Sequence, residues 1–407
     1  MNPQPYQTPP RHWPSKLSPS FVRKYSRWRR KELADQGIRE IDSAGAEGVR
    51  AAIARGEGVL LISNHSYHYD SYVLIEAAQQ SKWCAHFMTA WQVFSLYSRV
   101  GQWMLQKHGC FSINRESNDT QALRTAQSIL HHGPHPLVIF PEGDIYHSND
   151  RVMPFREGAA AIALSARKKS PRPLTIVPVA MKCFYTVDPS AELSRMMDKL
   201  EAHIRWRPAP ELPLIDRIYR FGNGFLSLKE VEYLGQPVSG SMRERLLGLA
   251  DHILCRIQEE RGLPRKGQIL ADRIRNLRTH LIKQIEAILK ADPDKRTSED
   301  RQRLARLRHD MEDLFFVTQL SSYHGDYSSE RPTIERIAET IDKFEEDIFA
   351  LQAPTPRGAR KAVVRFGEPI PLSEMTAKTA ELTVQLEQTV QQLLNNINDQ
   401  TTIHTPV

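Results

Sequence analysis

Short apolar runs alternate with longer amphipathic stretches through the first half of the chain. GVLLIS (58–63), PLVIF (136–140) and LTIVPVAM (174–181) are nearly unbroken apolar segments. Runs of this length read as buried strands. Between them, helical patterns fall at roughly 70–80, 92–107, 118–131 and 156–168. Strands alternating with helices predict a sheet covered by helices.

After residue 190 the pattern changes. RWRPAPELPLIDRIYRFGNGFLSL (205–228), rich in Pro, Arg and aromatics, reads as irregular. Four long stripes follow, with apolar residues three and four apart. The first runs from Leu246 to Ile257 and stops at Pro264; the second runs from Ile274 to Ile288. The third runs from Leu304 to Leu314, and the fourth from Ile334 to Leu351. Such stripes mark the buried faces of highly charged helices. ADPDKRTSED (291–300) is a polar turn, with a helix cap expected at Thr297 or Ser298. The expected assembly is a helical hairpin or small antiparallel bundle. Strand character returns in AVVRFGEPIPL (362–372), before a last amphipathic helix at about 378–397. The predicted organisation is an α/β domain interrupted by an α-helical insertion. A disordered Pro-rich N-terminus covers 1–19, and the first part of the core covers 20–190. The insertion covers 191–358, and a closing strand and helix cover 359–400.

Composition narrows this picture only slightly. A chain of 407 residues has room for two to three domains, and 40% hydrophobic with 25% charged residues is ordinary globular usage. A formal charge of +7 suits nucleic acid, a membrane surface or anionic metabolites without choosing among them. No nucleic-acid motif is present, so none is expected as a partner. Cys84, Cys110, Cys183 and Cys255 lie far apart and form no CxxC pair. That usage fits a reducing compartment and argues against a zinc site or disulfide frame; no metal is expected. No apolar run nears the roughly 18–20 residues that cross a bilayer. The N-terminus also lacks an apolar signal core, so a cytoplasmic location is expected. FVRKYSRWRRKELADQG (21–37) sets Phe21, Tyr25 and Trp28 on one helical face among Arg23, Lys24, Arg27, Arg29, Arg30 and Lys31. Such a helix suits a lipid interface, and equally a surface helix docked on its own domain. WCAHFMTAWQVFSLYSRVGQWML (83–105) is rich in Trp, Phe and Met and suits core packing, an acyl tunnel or bilayer contact.

Candidate chemistry concentrates where strands end. LLISNHSYHYDSYVL (60–74) holds His65, His68 and Asp70 between a strand and an expected helix start near Asp70. A histidine and an aspartate facing each other across such a loop can make a base, the carboxylate fixing the imidazole tautomer. His65 spans the loop to Asp70; His68 lies only two residues from it. VIFPEGD (138–144) has the same layout, with Glu142 where a strand opens into a loop and Gly143 allowing close backbone approach. GCFSINR (109–115) places Arg115 just past a short apolar segment, and VPVAM (177–181) places Pro178 inside or at the end of a strand.

These four blocks, in this order, resemble the glycerolipid acyltransferase family. That family includes the 1-acylglycerol-3-phosphate and glycerol-3-phosphate acyltransferases. Asn64, His65 and Asp70 match its NHx4D block, and Gly109 with Arg115 matches the second. Phe140, Pro141, Glu142 and Gly143 match FPEG, and Val177-Pro178-Val179 matches the fourth. PFREGAAAIAL (154–164) is similar to the helix start that follows FPEG, and VVRFGEPIPL to the closing strand. The resemblance covers roughly 20–185 and 360–400. It implies a mixed sheet flanked by helices, with His65 as general base and Asp70 orienting it. It implies direct attack of an acceptor hydroxyl on an acyl thioester, with acyl-CoA or acyl-carrier protein as co-substrate and no other cofactor. Arg115 would pair with an acceptor phosphate. Asn64, Phe140, Pro141, Glu142, Gly143 and Pro178 would shape the binding site.

The implied product is phosphatidic acid, made from lysophosphatidic acid by an enzyme of phospholipid biosynthesis held peripherally on a membrane. Three departures bear on the acceptor. Tyr67 stands where many members have Ser, DIY (144–146) replaces Thr-Arg-Ser after FPEG, and Asn114 precedes Arg115 where Asp is common. Losing a cation and gaining Asp144 weakens the case for a phosphate-bearing acceptor and leaves room for another lysolipid or a lipid-like alcohol or amine; glycerol-3-phosphate is the further alternative acceptor. The bulk of Tyr67 is expected to help select the acceptor. A non-catalytic lipid-binding scaffold working through the insertion is the reading of a different class.

Overall fold

A computed structural model of the chain describes residues 11–115, 119–265, 270–290 and 292–400. The described residues form two compact units. One comprises 11–192, 333–339 and 355–400; the other comprises 193–332 and 340–354.

The first unit is built on an eight-stranded mixed sheet. Its strands are β1 (Ile38–Ala44), β2 (Gly58–Ser63), β3 (His86–Ala90), β4 (Cys110–Ile113), β5 (Leu137–Ile139), β6 (Leu174–Tyr185), β7 (Arg360–Phe366) and β8 (Ile370–Pro371). The order is β1-β7-β6-β2-β5-β3-β4, with β8 paired to β6 beside β7. β2 runs parallel to both β5 and β6, while β7 lies antiparallel to β6. All six residues of β2 are buried, which explains why its sequence is an unbroken apolar run rather than an alternating one. Val59 and Leu61 enter the core on one face, Leu60 and Ile62 the core on the other. Burying each of the larger side chains contributes about 1.5–3 kcal/mol.

Helices cover both faces. Asp70–Gln80 packs into the first core through Val73, Leu74 and Ala77. Thr120–His132, Gly158–Arg167 and the closing helix Thr379–Gln400 pack into the second through Ala126, Ala163 and Leu386. Strands β1, β3 and β4 add to the three runs legible in the apolar pattern. The stretch expected as one helix over 92–107 is two, Trp91–Ser95 and Arg99–Lys107, with Ser98 capping the second.

Residues 1–10 of the Pro-rich N-terminus lie outside the described residues. From residue 11 the chain is ordered, against the expectation of disorder. Trp13 is buried and stacks on Phe94, and the amides of Lys16 and Ser18 bond the carbonyls of Gln106 and Lys107. One buried indole outweighs the local bias of the prolines.

The basic segment 21–37 also differs from expectation. Two short helices, Pro19–Lys24 and Ser26–Asp35, meet at Tyr25. Arg29 does not join the basic rim: it is fully buried, with Nη2 2.7 Å from Glu76 and Nη1 2.8 Å from His108 Nε2.

The second unit is helical. Its helices include Leu214–Leu234, Met242–Glu260, Leu270–Leu289 and Ser298–Ser322. Leu249, Ile253, Leu277, Leu281, Leu307 and Leu314 come together in its core, as the apolar stripes predict. Thr297 caps the last of these helices, forming a reciprocal box with Asp300. The stretch 205–228, expected to be irregular, is helical from Leu214 onward. The helix starts directly after Pro213, and Gly224 inside it makes room for Trp206: a β-carbon there would lie 2.1 Å from the indole. Pro, Gly and Trp, read as signs of loop, are here a helix start and a helix-packing pair. Among the described residues, no helix is long and apolar enough to cross a membrane.

Candidate active site

The site residues collect where β2 and β5 end. β2 stops at Ser63 opposite Val179, but β6 runs on to Tyr185. The edge of β6 beyond Val179 therefore needs other hydrogen-bond partners. Asn64 supplies the first: its amide donates to the Met181 carbonyl at 2.9 Å and accepts from the Met181 amide at 2.8 Å. Asn149 repeats the arrangement at Cys183, at 2.6 and 3.0 Å, and Glu335 accepts from the Tyr185 amide at 3.3 Å. Asn64 is fully buried, so its amide extends the sheet and sets the start of the loop that carries His65.

That loop is organised by one carboxylate. Asp70 is the first residue of its helix, and its Oδ2 accepts from the amides of Ser66 (2.7 Å) and Tyr67 (2.9 Å). The same oxygen lies 3.0 Å from His65 Nδ1. An acceptor already holding two N–H groups forces the proton onto Nδ1, which leaves Nε2 as the basic nitrogen. The helix N-terminus adds favourable potential for the carboxylate. The imidazole is fixed from its face as well: Phe140 stacks on it, with centroids 4.3 Å apart and planes 22° apart. The His65 side chain keeps 18% of its surface exposed, whereas Asp70 keeps 4%. That is the layout a proton acceptor facing a substrate requires. His68 turns its ring to His147, with centroids 5.6 Å apart.

Glu142 ties the two motif loops together. Its carboxylate accepts from the His65 amide at 2.8 Å and the Met153 amide at 3.4 Å. Burial pushes its carboxyl well above the usual carboxylate range, and the nearby Asp70 and Glu387 carboxylates add to that shift against the two amide bonds. Pro141 is buried beside it. Gly143 follows with φ +75°, a conformation that favours glycine, and a β-carbon there would lie 2.6 Å from the Arg156 guanidinium.

Arg115 reaches the same corner. Its Nη1 donates to the Gly143 carbonyl and lies 3.6 Å from Asp144. Two guanidinium groups, Arg115 and Arg156, thus approach Gly143 from different elements. Arg156 sits in PFREG and carries no local signal of this role; a cation lost after FPEG is the hint that another had to come from further along the chain. Tyr146 lies beside Arg156 and is pushed up to about 12, chiefly by burial.

Two expected site residues sit away from solvent. Pro178 is buried within β6 opposite Ile62. Its carbonyl accepts from Gly367, so its missing N–H falls in the gap between β7 and β8, where no ladder bond is lost. Tyr67 is buried, and its hydroxyl donates to Glu339 at 3.2 Å. Cys110 lies within β4, and burial pushes its thiol up to about 11, an unreactive state. The closing helix contributes residues that periodicity hid. Gln391 and Glu387, one turn apart, accept from the amides of Val152 (2.9 Å) and Phe155 (2.7 Å) and hold the loop after FPEG.

Comparison with known proteins bears on the same segment. Residues 41–182, about a third of the 407-residue chain, match the family model described as Acyltransferase. No curated protein matches the chain. The matched span runs from β1 through the site to β6, and includes both NHx4D and FPEG. The chain therefore carries, over residues 41–182, an acyltransferase domain.

Proposed function

We propose that the protein moves a fatty acyl group from a thioester to the hydroxyl of a lysophospholipid, with 1-acylglycerol-3-phosphate as the leading acceptor and phosphatidic acid as product. The observation that carries this reading is the partly exposed, Asp70-oriented His65 beside two arginines at Gly143. His65 Nε2 takes the proton from the acceptor hydroxyl as its oxygen attacks the thioester carbonyl. The tetrahedral centre collapses, the C–S bond breaks, and the imidazolium proton neutralises the departing thiolate. Arg115 and Arg156 offer planar donors suited to an acceptor phosphate. Acyl-CoA and acyl-carrier protein are both candidate donors.

One observation favours a second acceptor. Asp144, 3.6 Å from Arg115, offsets part of the positive charge and suits a less anionic headgroup. Another lysolipid with a less anionic headgroup, or a lipid-like alcohol or amine, is the alternative within the same chemistry.

Peripheral membrane contact is part of the proposal. Trp28, Leu96, Tyr97, Val100 and Trp103 are 36–67% exposed, and Phe21 packs edge-on against Trp103. Exposed Arg23, Lys24, Arg27 and Arg99 accompany them, the composition of an interfacial surface.

The test is purified full-length protein with labelled acyl-CoA or acyl-carrier protein and a panel of lysolipids, read by product mass. Acylation of lysophosphatidic acid that is lost in His65→Ala supports the reading. Acylation retained in His65→Ala overturns it. Binding to anionic vesicles without turnover of any acceptor would favour a lipid-binding scaffold instead.

A further inference from the structure

Four polar contacts converge on little more than one turn of helix within the acyltransferase unit. This is the start of Ile334–Phe349, far along the chain from either motif. Glu335 accepts from the Tyr185 amide at 3.3 Å, and Arg336 Nε donates to Asp150 at 2.9 Å. One turn on, Glu339 accepts from the Tyr67 hydroxyl at 3.2 Å through Oε1 and from the Asn149 amide at 3.1 Å through Oε2. Positions 335 and 339 share a helix face, so both carboxylates are directed to the same side.

Glu339 is 1% exposed, and a carboxylate in that position is costly unless it is fully engaged. Two donors reach it from two different loops. Tyr67 belongs to the NHx4D loop, two residues after His65. Asn149 belongs to the loop after FPEG, where its side chain occupies the Cys183 edge of β6. A second stitch lies beside the first: Ser66 Oγ donates to the Ser148 carbonyl at 3.0 Å. The Tyr67 amide also bonds the Asp70 oxygen that faces His65. A shift of Tyr67 is therefore a shift of the group that holds the imidazole.

We propose that Glu339 is a positioning residue for acyl transfer, its carboxylate clamping the His65 loop against the loop that follows Gly143. No group on Glu339 meets substrate; it acts through Tyr67, Asp70 and His65. The kinetic half of this claim rests on the proposed acyl transfer, while the geometric half does not.

The experiment uses the full chain with Glu339→Ala, Glu339→Gln and Tyr67→Phe. Glu339→Ala should lower kcat about 10- to 100-fold, as an ångström-scale misplacement does, with the KM for acyl-CoA within about twofold. Glu339→Gln keeps an acceptor for Tyr67 but presents an amide N–H to Asn149, so it should recover part of the loss. Tyr67→Phe should lower kcat in the parent and add nothing in Glu339→Ala, since the bond it removes is already absent there. Hydrogen–deuterium exchange supplies the readout that needs no substrate. Peptides covering 64–70 and 147–153 should exchange faster in Glu339→Ala, while peptides from the sheet do not. Parental kcat in Glu339→Ala, or unchanged exchange in both loops, overturns the proposal. So does a loss of kcat that matches a loss of folded protein and is not recovered in Glu339→Gln. If the parent acylates no acceptor, the proposed function fails and the exchange data still decide the clamp.

Discussion

Asp70→Asn isolates the charge of the Asp70–His65 pair from its geometry. In the parent, Oδ2 accepts three N–H groups, from Ser66, Tyr67 and His65 Nδ1, at 2.7, 2.9 and 3.0 Å. An asparagine must still present an acceptor to the two backbone amides, so its carbonyl oxygen takes the Oδ2 position. The Nδ1 proton keeps its partner, and Nε2 remains the base. What is lost is the negative charge that stabilises the imidazolium formed in the transition state. Hydrogen bonds to a charged partner contribute about 1.5–3 kcal/mol and neutral ones about 0.5–1.5, a difference of about 1–2 kcal/mol. At about 1.4 kcal/mol per decade, kcat should fall roughly 5- to 30-fold. His65→Ala, which removes the base itself, should cost about 10²–10⁴-fold. The assay is continuous release of free CoA thiol at saturating acceptor, with thermal melting as the control for folding. In the His65→Ala background, Asp70→Asn should cost nothing further, because the carboxylate acts through the imidazole. A fall near four orders of magnitude in the single variant would refute the reasoning. It would mean the amide had flipped its NH₂ toward His65 and imposed the wrong tautomer. An unchanged kcat would refute it as well, by removing the carboxylate from the mechanism.

Three further outcomes follow from the same contacts. The Glu142 carboxyl is raised above its ordinary 4.5 by burial, so the folded state holds a proton that the unfolded state releases. Its contribution to stability is complete below about pH 4.5 and is lost as pH rises toward the folded value. Glu142→Gln removes that dependence, so the melting temperature of the parent relative to the variant should fall between pH 4.5 and 8; a pH-independent difference contradicts the argument. Gly143→Ala forces a side chain into φ +75° and pushes on the Arg156 guanidinium, at about 1–2 kcal/mol. Denaturant titration should show that loss, and acceptor KM should rise as Arg156 is displaced. Glu76→Ala leaves Arg29 buried without the carboxylate it meets at 2.7 Å, and should cost about 3–5 kcal/mol in chemical denaturation. A loss below about 1 kcal/mol would show that water reaches Arg29.

The elements legible in the chain are those whose burial is uniform along their length. β2 is buried at all six positions, and its apolar run has the bounds of the strand. β1 shows a mixed burial pattern and no apolar run, so only its pairing with β7 marks it as a strand. The stretch 205–228 hides its helix for a related reason. In an isolated backbone Pro213 and Gly224 signal a loop, whereas Trp206 packing onto Gly224 decides their role. Arg29 belongs by composition to a basic surface helix, and Glu76 draws it into the interior.

The division at the site follows the same physics. By itself the sequence determined that His65 and Asp70 bracket a loop between a strand and a helix. Five residues of chain suffice to bring them within hydrogen-bond reach, and FPEG marked the second loop. For Tyr67 it offered only the bulk of the side chain, and for His68 only a place in the loop. Tertiary structure alone decided that Phe140 stacks on the imidazole, that Arg156 joins Arg115 at Gly143, and that Tyr67 points inward to Glu339. It also decided that Asn64 and Asn149 stand in for a missing strand along β6. A hydrogen bond between residues far apart leaves no period in the chain. Local spacing therefore reveals the His65–Asp70 pair, and only the folded sheet reveals what holds that pair in place.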